Sequence, residues 1–363
     1  MMKTFSGSYH PNEVEFLLEQ LVVEDTPIQL KEQLIQSGKK HYSEMLTLET
    51  LPDPDYLELF YKAMLLNQDR LAKHLLILAQ SIVTTRPKGI VLVSLARAGT
   101  PIGVLLKHIL QIYFNIAAEH FSISILRDVG IDQNALRYIL KSHSPEAFVF
   151  VDGWTGKGII AQQLEVSLQD FKQSTGISIP ADLYVLADLC GKAKVAVTSE
   201  DYLIPSCILN ATISGLVSRS IYNPASAQSG DFHGCVYYVQ FIANDLSRYF
   251  IDTILARVAL IAPSLTLNTL LPNNFYALSE PLEQFLQGLM RRYEVRHLNY
   301  IKPGLGEATR VLLRREARLI LLKDKDAEAT QHLRWLAESK SIPVEIVSDL
   351  PYQAVAFIKE MNS

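Results

Sequence analysis

The chain has 363 residues, of which 48% are hydrophobic and 20% charged. This composition is sufficient to form a buried core, and it excludes disorder over the whole chain. Its 34 basic and 38 acidic residues give a net charge of −4, which argues against a surface that binds polyanions throughout. Three scattered cysteines are too few for a disulfide framework, no apolar run reaches the roughly 18 residues of a membrane span, and the polar first residues do not resemble an export signal. A cytoplasmic protein of two or three domains without membrane contact is predicted.

Residues 1–85 predict a helical N-terminal extension. A long amphipathic pattern opens at Pro54-Asp55 and ends before Arg86-Pro87, which indicates one long helix. The polar segment ahead of this helix could form a hood that selects a ligand of the next domain. Its titratable side chains are His41, Tyr42 and Glu44.

Residues 86–275 predict an α/β core with a mostly parallel sheet. Short buried strands alternate with amphipathic helices such as Ile102–Ile109 and Ile160–Phe171, a pattern typical of parallel sheets with helices on both faces. Sheets of this kind bind ligands at the carboxyl ends of their strands. The predicted strands are Ile90–Leu95, Phe121–Leu126, Phe148–Val151 and Leu183–Ala187.

Residues 281–363 predict a small α/β/α sandwich, which follows a Pro/Asn-rich break at Pro263–Asn274. Its length of about 80 residues suits an independent domain. Ten Lys or Arg residues and four Asp or Glu residues lie within Arg291–Lys325, a local signal for an anionic partner. The predicted elements are helix Pro281–Tyr293, strand Val295–Tyr300, helix Glu307–Arg315, strand Arg318–Leu322, helix Ala327–Ser339, strand Val344–Val347 and a final helix.

The segment Phe148–Gly158 carries the strongest chemical signal. Asp152 follows four apolar strand residues, and a short loop then leads to the N-terminus of the next helix. Free N–H groups and the helix dipole favour a phosphate there, and glycines allow close approach of the backbone. An ordinary strand–turn–helix corner is the alternative. The phosphate-binding candidates in the loop are Gly153, Thr155, Gly156, Lys157 and Gly158.

A second loop follows the strand Ile90–Leu95. Its Arg97 suits a phosphate, because a guanidinium pairs with phosphate oxygens through two hydrogen bonds. The backbone of Ala98 and Gly99 could contribute amide donors. Between the two loops, the polar stretch Leu126–Asn134 with Arg127 is either a lid that shields a reaction from water or a surface loop.

The two loops together resemble those of phosphoribosyltransferases, in which an apolar strand, an acidic pair and a Thr-Gly turn bind phosphoribosyl diphosphate (PRPP). Here Gly153 stands at the second acidic position. The resemblance implies PRPP with Mg²⁺ as the donor, the Mg²⁺ being held without a dedicated cage of protein ligands. It implies that Arg97 and Asp152 act in catalysis, on the departing pyrophosphate and on the ribose respectively. A base-like acceptor would then displace pyrophosphate.

Phrases across residues 1–281 also resemble a bacterial phosphoribosyltransferase-like family found with tellurite-resistance and stress-response operons. They include Lys40–Glu44, Ile204–Ser206, Ser214–Arg219 and Asp231–Gly234. Members of that family carry a C-terminal domain resembling Pelota and the ribosomal L7Ae class of RNA binders. Some members are labelled cysteine proteases.

The L7Ae class begins a helix with Gly-x-Asn-Glu-x-Thr-Lys, and the segment 304–310 keeps its Gly, Glu and Thr and has a basic residue, Arg310, at the Lys position, whereas Gly306 replaces the Asn. The resemblance implies that this turn grips a kinked RNA, and cations near a helix N-terminus suit RNA phosphates. Use of the basic helix for folding or for contact in a homodimer is the alternative. The RNA-binding candidates are Lys302, Gly304, Gly306, Glu307, Thr309, Arg310 and Arg314.

Two other functions stay open at this stage. The absent second acidic residue at Gly153 favours a non-catalytic, nucleotide-sensing regulator that binds RNA. A cysteine protease is a minor alternative: His233 and Cys235 are two residues apart and would share one face of a strand.

Overall fold

The computed structural model describes residues 3–222, 230–265 and 275–360. From residue 266 onward, the predicted Pro/Asn-rich break lies outside the described residues, as do residues 361–363 at the end of the third predicted domain. The limits predicted for the three domains stay predictions.

The strands, numbered along the described chain, are β1 Glu15–Leu17, β2 Glu19–Gln20, β3 Val91–Leu95, β4 Glu119–Ile123, β5 Ile125–Leu126, β6 Gly130–Ile131, β7 Phe148–Thr155, β8 Leu183–Asp188, β9 Val195–Thr198, β10 Gly234–Cys235, β11 Ile301–Pro303, β12 Ala317–Leu322, β13 Val344–Ile346 and β14 Ala354–Ile358. The α-helices are α1 Ile28–Gln36, α2 Pro54–Thr85, α3 Gly99–Phe114, α4 Gln133–Ile139, α5 Ile159–Thr175, α6 Ser247–Ile261, α7 Ser279–Arg292, α8 Leu305–Arg314 and α9 Gln331–Ser339. Among the described residues, no helix is both long and apolar enough to cross a bilayer.

The core is a six-stranded sheet in the order β1-β4-β3-β7-β8-β9, and each neighbouring pair is parallel. Its central strands are buried on both faces: along β3, Leu92 belongs to one hydrophobic cluster, whereas Val91 and Val93 belong to another on the opposite face. Alternate residues of a strand point to opposite faces, so an apolar run such as β3 requires cover on both. The predicted α/β class with a parallel sheet is confirmed.

The N-terminal segment is less helical than predicted. Helix α2 is confirmed: the side chain of Asp53 accepts a hydrogen bond from the N–H of Asp55, and Pro54 occupies the first helical position. However, β1 pairs with β4 at the edge of the main sheet, so the helical interpretation is wrong there. A short apolar run such as Phe16-Leu17-Leu18 does not distinguish strand from helix by periodicity, and only the available sheet edge decides.

The C-terminal domain contains a four-stranded mixed sheet, β11-β14-β12-β13. Its predicted helices and the strands near 318–322 and 344–347 are confirmed. Two predictions are wrong. The strand predicted at Val295–Tyr300 lies further along the chain, at β11, and the segment predicted as the final helix is the strand β14. This strand is fully buried and pairs with both β11 and β12. A continuous apolar run is compatible with either a buried helix or a central strand, so the sequence left that choice open.

The C-terminal domain packs on the core next to the carboxyl ends of the parallel strands. The carboxylate of Asp201 accepts hydrogen bonds from the N–H of Leu305 at 2.9 Å and of Gln353 at 2.7 Å. The guanidinium of Arg310 lies 4.4 Å from the ring centroid of Trp154. These contacts bring the start of α8 against the end of β7 and the segment that follows β9.

Candidate anion-binding site

Strand β7 positions the first candidate residues. It extends to Thr155, beyond its predicted end at Val151, so Asp152 lies within the strand and pairs in register with Val185 of β8. On its other side β3 pairs with β7 only as far as Val151. Because this pairing ends at Val151, the loop after β3 lies beside the half-buried Asp152 in place of a paired strand.

The turn after β7 has the geometry of an anion-binding corner. The hydroxyl of Thr155 accepts a hydrogen bond from the N–H of Gly158 at 3.1 Å. Gly158 immediately precedes α5 and has φ +75°, a conformation that favours glycine, and no side chain caps the helix. The first N–H groups of a helix have no partner within it, so those of Ile159 and Ile160 are available to an anion.

The loop after β3 lies directly beside β7, as the resemblance implies. A Cβ on Gly99 would overlap the carbonyl oxygen of Val151, and a Cβ on Gly153 would lie 3.9 Å from the carbonyl oxygen of Ala98. The guanidinium of Arg97 is nevertheless committed elsewhere. It pairs with Glu49 at 2.6 Å and donates to the carbonyl of Val217 at 2.7 Å and to the Asn210 amide oxygen at 3.0 Å. Its catalytic role stays a prediction.

A cavity of about 310 Å³ lies between the core and the C-terminal domain. The turn after β7 forms one wall, and the start of α8 faces it: a Cβ on Gly156 would lie 3.0 Å from the carbonyl oxygen of Pro303. The acidic residues on the wall are Asp152 and Glu307. The basic residues are Lys31, Arg127, Lys157, Arg219, Lys302, Arg310, Arg314 and Arg315.

Most of this positive charge is not neutralised by carboxylates. Arg127 pairs with Asp128 at 2.9 Å, Arg310 with Glu307 at 2.9 Å, and Arg315 with Glu32 at 2.8 Å. Within the described part of the chain, the remaining cavity cations form no ion pair. Burying a charge without an opposite charge is costly even where neutral groups accept its hydrogen bonds, so this cavity is suited to bind an anion. The unpaired cations are Lys31, Lys157, Arg219, Lys302 and Arg314.

Burial and mutual repulsion change the pKa values in the cavity. Burial, reinforced by Lys302, lowers the pKa of Lys157 to about 7, and burial lowers that of Lys31 to about 8. Burial also lowers the pKa of Arg314, with Arg97 as the next cause. Conversely, burial raises the pKa of Asp152 to about 6, although Arg310 opposes this shift. A bound polyanion would favour the protonated lysines.

The predicted acceptor and lid residues divide into two groups. Tyr42 and Arg127 line the cavity, and the Tyr42 hydroxyl accepts a hydrogen bond from the N–H of Arg127 at 2.8 Å. His41 and Glu44 instead cap a short helical turn, in which the Glu44 carboxylate accepts from the N–H of His41 at 2.9 Å. The predicted lid segment forms the hairpin β5–β6 and the start of α4.

The predicted RNA-binding residues face the core. Lys302, Glu307, Arg310 and Arg314 line the cavity, together with the phosphate-loop residues. A Cβ on Gly306 would overlap the ring of Trp154, and a Cβ on Gly304 would overlap Leu189. The buried hydroxyl of Thr309 donates to the carbonyl of Leu305 at 2.7 Å. These side chains do not form an open RNA-binding surface in this arrangement, and their role stays a prediction.

Sequence reasoning assigned no role to three residues of this site. Lys31 lies on α1 and its amine donates to the hydroxyl of Thr47 at 2.8 Å; a lysine in an amphipathic helix gives no signal of burial. Arg219 belongs to the phrase Ser214–Arg219, which carries part of the family resemblance but gives no role to the arginine itself. Trp154 lies in the predicted loop itself, but its packing against α8 depends on a domain contact that local patterns do not reveal.

The cysteines lack the surroundings of a protease nucleophile. Cys190, Cys207 and Cys235 are all buried. Burial raises the pKa of the Cys207 thiol to about 12 and also raises that of Cys235. His233 contacts the hydroxyl of Ser124 at 2.8 Å through Nδ1, and across the described residues no histidine nitrogen is hydrogen-bonded to a cysteine sulfur. A reactive thiol needs a lowered pKa and access, so this geometry does not support catalysis by Cys235.

We therefore expect all three thiols to resist modification by thiol reagents in the native protein. Burial removes access, and the raised pKa values leave little thiolate at pH 8. Counting modified thiols with a chromogenic disulfide reagent should give fewer than one fast-reacting group per native chain and three after denaturation in guanidinium. Rapid, stoichiometric modification of one native cysteine would contradict this expectation and favour a thiol-dependent activity.

The fold and the cavity define a class: an α/β protein whose strand-end loops and C-terminal domain together surround a positively charged pocket. Residues 7–255 match the family model described as "Tellurite-like stress resistance cysteine protease StiP", and residues 282–360 match that of the "PELOTA RNA binding domain". The chain belongs to the StiP family. It is 41% identical over 368 residues to a protein of Acinetobacter baylyi named cysteine protease StiP, covering 99% of this chain and 95% of that protein.

Solved structures similar to this chain include the hypoxanthine phosphoribosyltransferase of Trypanosoma cruzi. The two are 16% identical, the match covers 38% of this chain and 82% of the other, and the TM-score is 0.27. A glutamine mutant from an analysis of an invariant aspartic acid in HPRTs matches with 13% identity, 38% and 81% coverage, and the same TM-score.

Proposed function

We propose that the cavity binds a phosphorylated ribose, with PRPP as the expected compound, and that the protein is a phosphoribosyltransferase-like enzyme. The observation that carries this proposal is a single cavity combining the Thr155–Gly158 turn, Asp152 and five unpaired cations. The turn and the N-terminus of α5 would bind the 5′-phosphate. Asp152, near the end of β7, would accept hydrogen bonds from the ribose hydroxyls.

The remaining cations suit the diphosphate at C1 of the sugar. Lys31, Arg219 and Arg314 would stabilise the charge that develops on pyrophosphate as the C1–O bond breaks. Arg97 would act indirectly, by helping to position Arg314, since Asn210 accepts hydrogen bonds from both Arg97 and Arg314. The backbone of Ala98 and Gly99 stays a candidate for diphosphate contacts.

Magnesium would enter with PRPP. Among the described residues, no group of three or more His, Cys, Asp or Glu side chains could hold a metal ion. Asp152 and Glu307 are the carboxylates on the cavity wall. Because Mg²⁺ retains several water ligands and bridges substrate phosphates, one or two carboxylates fit its requirements. When bound, the ion would neutralise diphosphate charge.

A second cavity of about 360 Å³ adjoins the first, and the two share Lys31, Arg219 and Arg314 in their linings. Tyr56 and Trp335, whose ring centroids lie 5.3 Å apart, also line it. Aromatic walls suit a planar nitrogenous base, because rings gain energy by stacking. This cavity is our proposed acceptor site, and the nitrogen nucleophile would attack C1 from it.

Calorimetric titration with Mg²⁺-PRPP tests the proposal, paired with a pyrophosphate-release assay over candidate bases. Asp152→Ala should weaken PRPP binding about 10- to 100-fold, the cost of losing hydrogen bonds to a charged group. Asp170→Ala, on the exposed face of α5, is the matched control. PRPP affinity unaffected by Asp152→Ala, or no binding to the wild type, would falsify the donor assignment.

Binding of PRPP without turnover would support the second candidate, a nucleotide-sensing regulator. Two observations favour it: Gly153 occupies the second acidic position of the PRPP loop, and Arg97 is held by Glu49. The domain named for RNA binding that matches residues 282–360 fits either candidate, with RNA as the macromolecular partner.

A further inference from the structure

The turn that resembles an RNA-binding motif is covered by the core. Gly304 and Gly306 pack so closely on Leu189 and Trp154 that neither position has room for a Cβ. The N–H of Leu305, which would face a ligand at the start of α8, donates to Asp201. The features that would contact RNA are therefore already in contact with protein.

The basic residues of this face are also committed to the cavity. Lys302, Arg310, Arg314 and Arg315 lie within 14 residues of sequence and all line the pocket. Arg315 pairs with Glu32 of α1, and Arg314 donates to Asn210 at 2.7 Å. From the core side, Lys157 donates to the carbonyl of Leu298 at 2.5 Å. Half of the cavity's basic residues thus come from the domain predicted to bind RNA phosphates.

We propose that this core-facing surface of the C-terminal domain has two mutually exclusive partners. In the arrangement described here it completes the site for the phosphorylated ligand, and after separation from the core it binds RNA. Occupancy of the cavity therefore opposes RNA binding. Only the part of this inference that concerns the phosphorylated ligand rests on the proposed function. The covering of the turn by the core does not depend on which ligand the cavity binds.

The physical basis is linkage between the two equilibria. A ligand that contacts both domains binds only when they are together, so it stabilises that state in proportion to its saturation. Reciprocally, RNA that binds the separated domain lowers the apparent affinity for the ligand by the same factor. The unpaired cations strengthen this coupling, because they repel one another in the ligand-free cavity and attract an anion.

A change on the core side tests the proposal without altering the RNA-binding face. Asp201→Ala removes the acceptor for the N–H groups of Leu305 and Gln353, whereas Asp170→Ala on the exposed face of α5 does not touch the domain contact. The probe is an RNA hairpin with a kinked internal loop, titrated by fluorescence anisotropy at fixed salt. We expect Asp201→Ala to bind it at least tenfold more tightly than the wild type or Asp170→Ala.

The second arm adds saturating Mg²⁺-PRPP, which should weaken RNA binding to the wild type at least tenfold. Trp154 reports separation independently: the sequence has two tryptophans, so Trp335→Phe leaves it as the sole tryptophan, which can be excited selectively over the tyrosines at long wavelength. RNA should increase its quenching by acrylamide, and PRPP should suppress that increase. This readout decides the matter if Asp201→Ala does not fold.

Equal RNA affinity of wild type and Asp201→Ala with unchanged Trp154 quenching overturns the proposal, as does failure of both proteins to bind RNA. Simultaneous binding of PRPP and RNA without mutual weakening also overturns it. If calorimetry shows no PRPP binding, the proposed function and the ligand half fail together. The Asp201→Ala comparison needs no PRPP, so it still decides whether contact with the core prevents this face from binding RNA.

Discussion

Arg314→Met should stabilise the ligand-free protein and at the same time weaken PRPP binding about 10- to 100-fold. The guanidinium of Arg314 is half-buried, has no ion pair among the described residues, and lies near Arg97 and Arg310. Removing such a cation relieves desolvation and repulsion, for a gain on the order of 1 kcal/mol in the free energy of unfolding. Losing a charge-assisted contact to a phosphate accounts for the expected loss in affinity.

Thermal unfolding without ligand and calorimetry with Mg²⁺-PRPP measure the two effects on the same samples. Asn210 keeps its hydrogen bond from Arg97 in the variant, so no new buried acceptor is left unpaired. Arg291→Met is the control, because Arg291 is exposed on α7 of the same domain. A destabilised Arg314→Met variant that binds PRPP normally would show that this arginine has a structural role only.

The affinity for PRPP should decrease with rising pH above about 7, by up to tenfold per pH unit. Burial and the neighbouring Lys302 lower the pKa of Lys157 to about 7, so the free protein loses this charge at higher pH. A bound phosphate favours the protonated amine, and binding must then take up a proton. Below pH 7 Lys157 is already protonated and makes no further contribution to the slope.

Calorimetry between pH 6.5 and 9 in buffers of different ionisation enthalpy measures both the slope and the proton uptake. Lys157→Arg keeps its charge throughout, so its affinity should decrease only above about pH 8, where Lys31 loses its charge. Lys157→Met should show the same pH dependence at lower affinity. Exposed Lys172, on α5, supplies the control variant Lys172→Met, whose profile should match the wild type. A flat wild-type profile would show that Lys157 does not contact the ligand.

Local sequence patterns predicted much of the core. Asp53-Pro54 and a long amphipathic pattern predict helix α2, and short apolar runs between turns predict β3, β7 and β8. Patterns failed where a short apolar segment had two compatible states, as at Phe16–Leu18 and at β14. In both cases hydrogen bonding to a strand distant in sequence selects the extended state.

The candidate site likewise has one part that local sequence determines and another part that depends on contacts between distant segments. Asp152 and the Thr155–Gly158 turn are contiguous in sequence, and a strand followed by glycines and a helix determines their geometry locally. The sequence by itself therefore determined the parallel α/β core, the phosphate-type corner and the basic character of the C-terminal domain. Only the tertiary structure decided that Lys31, Arg219 and Arg314 share one cavity with that corner and that Trp154 covers the RNA-like turn. Those contacts join segments more than 60 residues apart, and no local pattern encodes their packing.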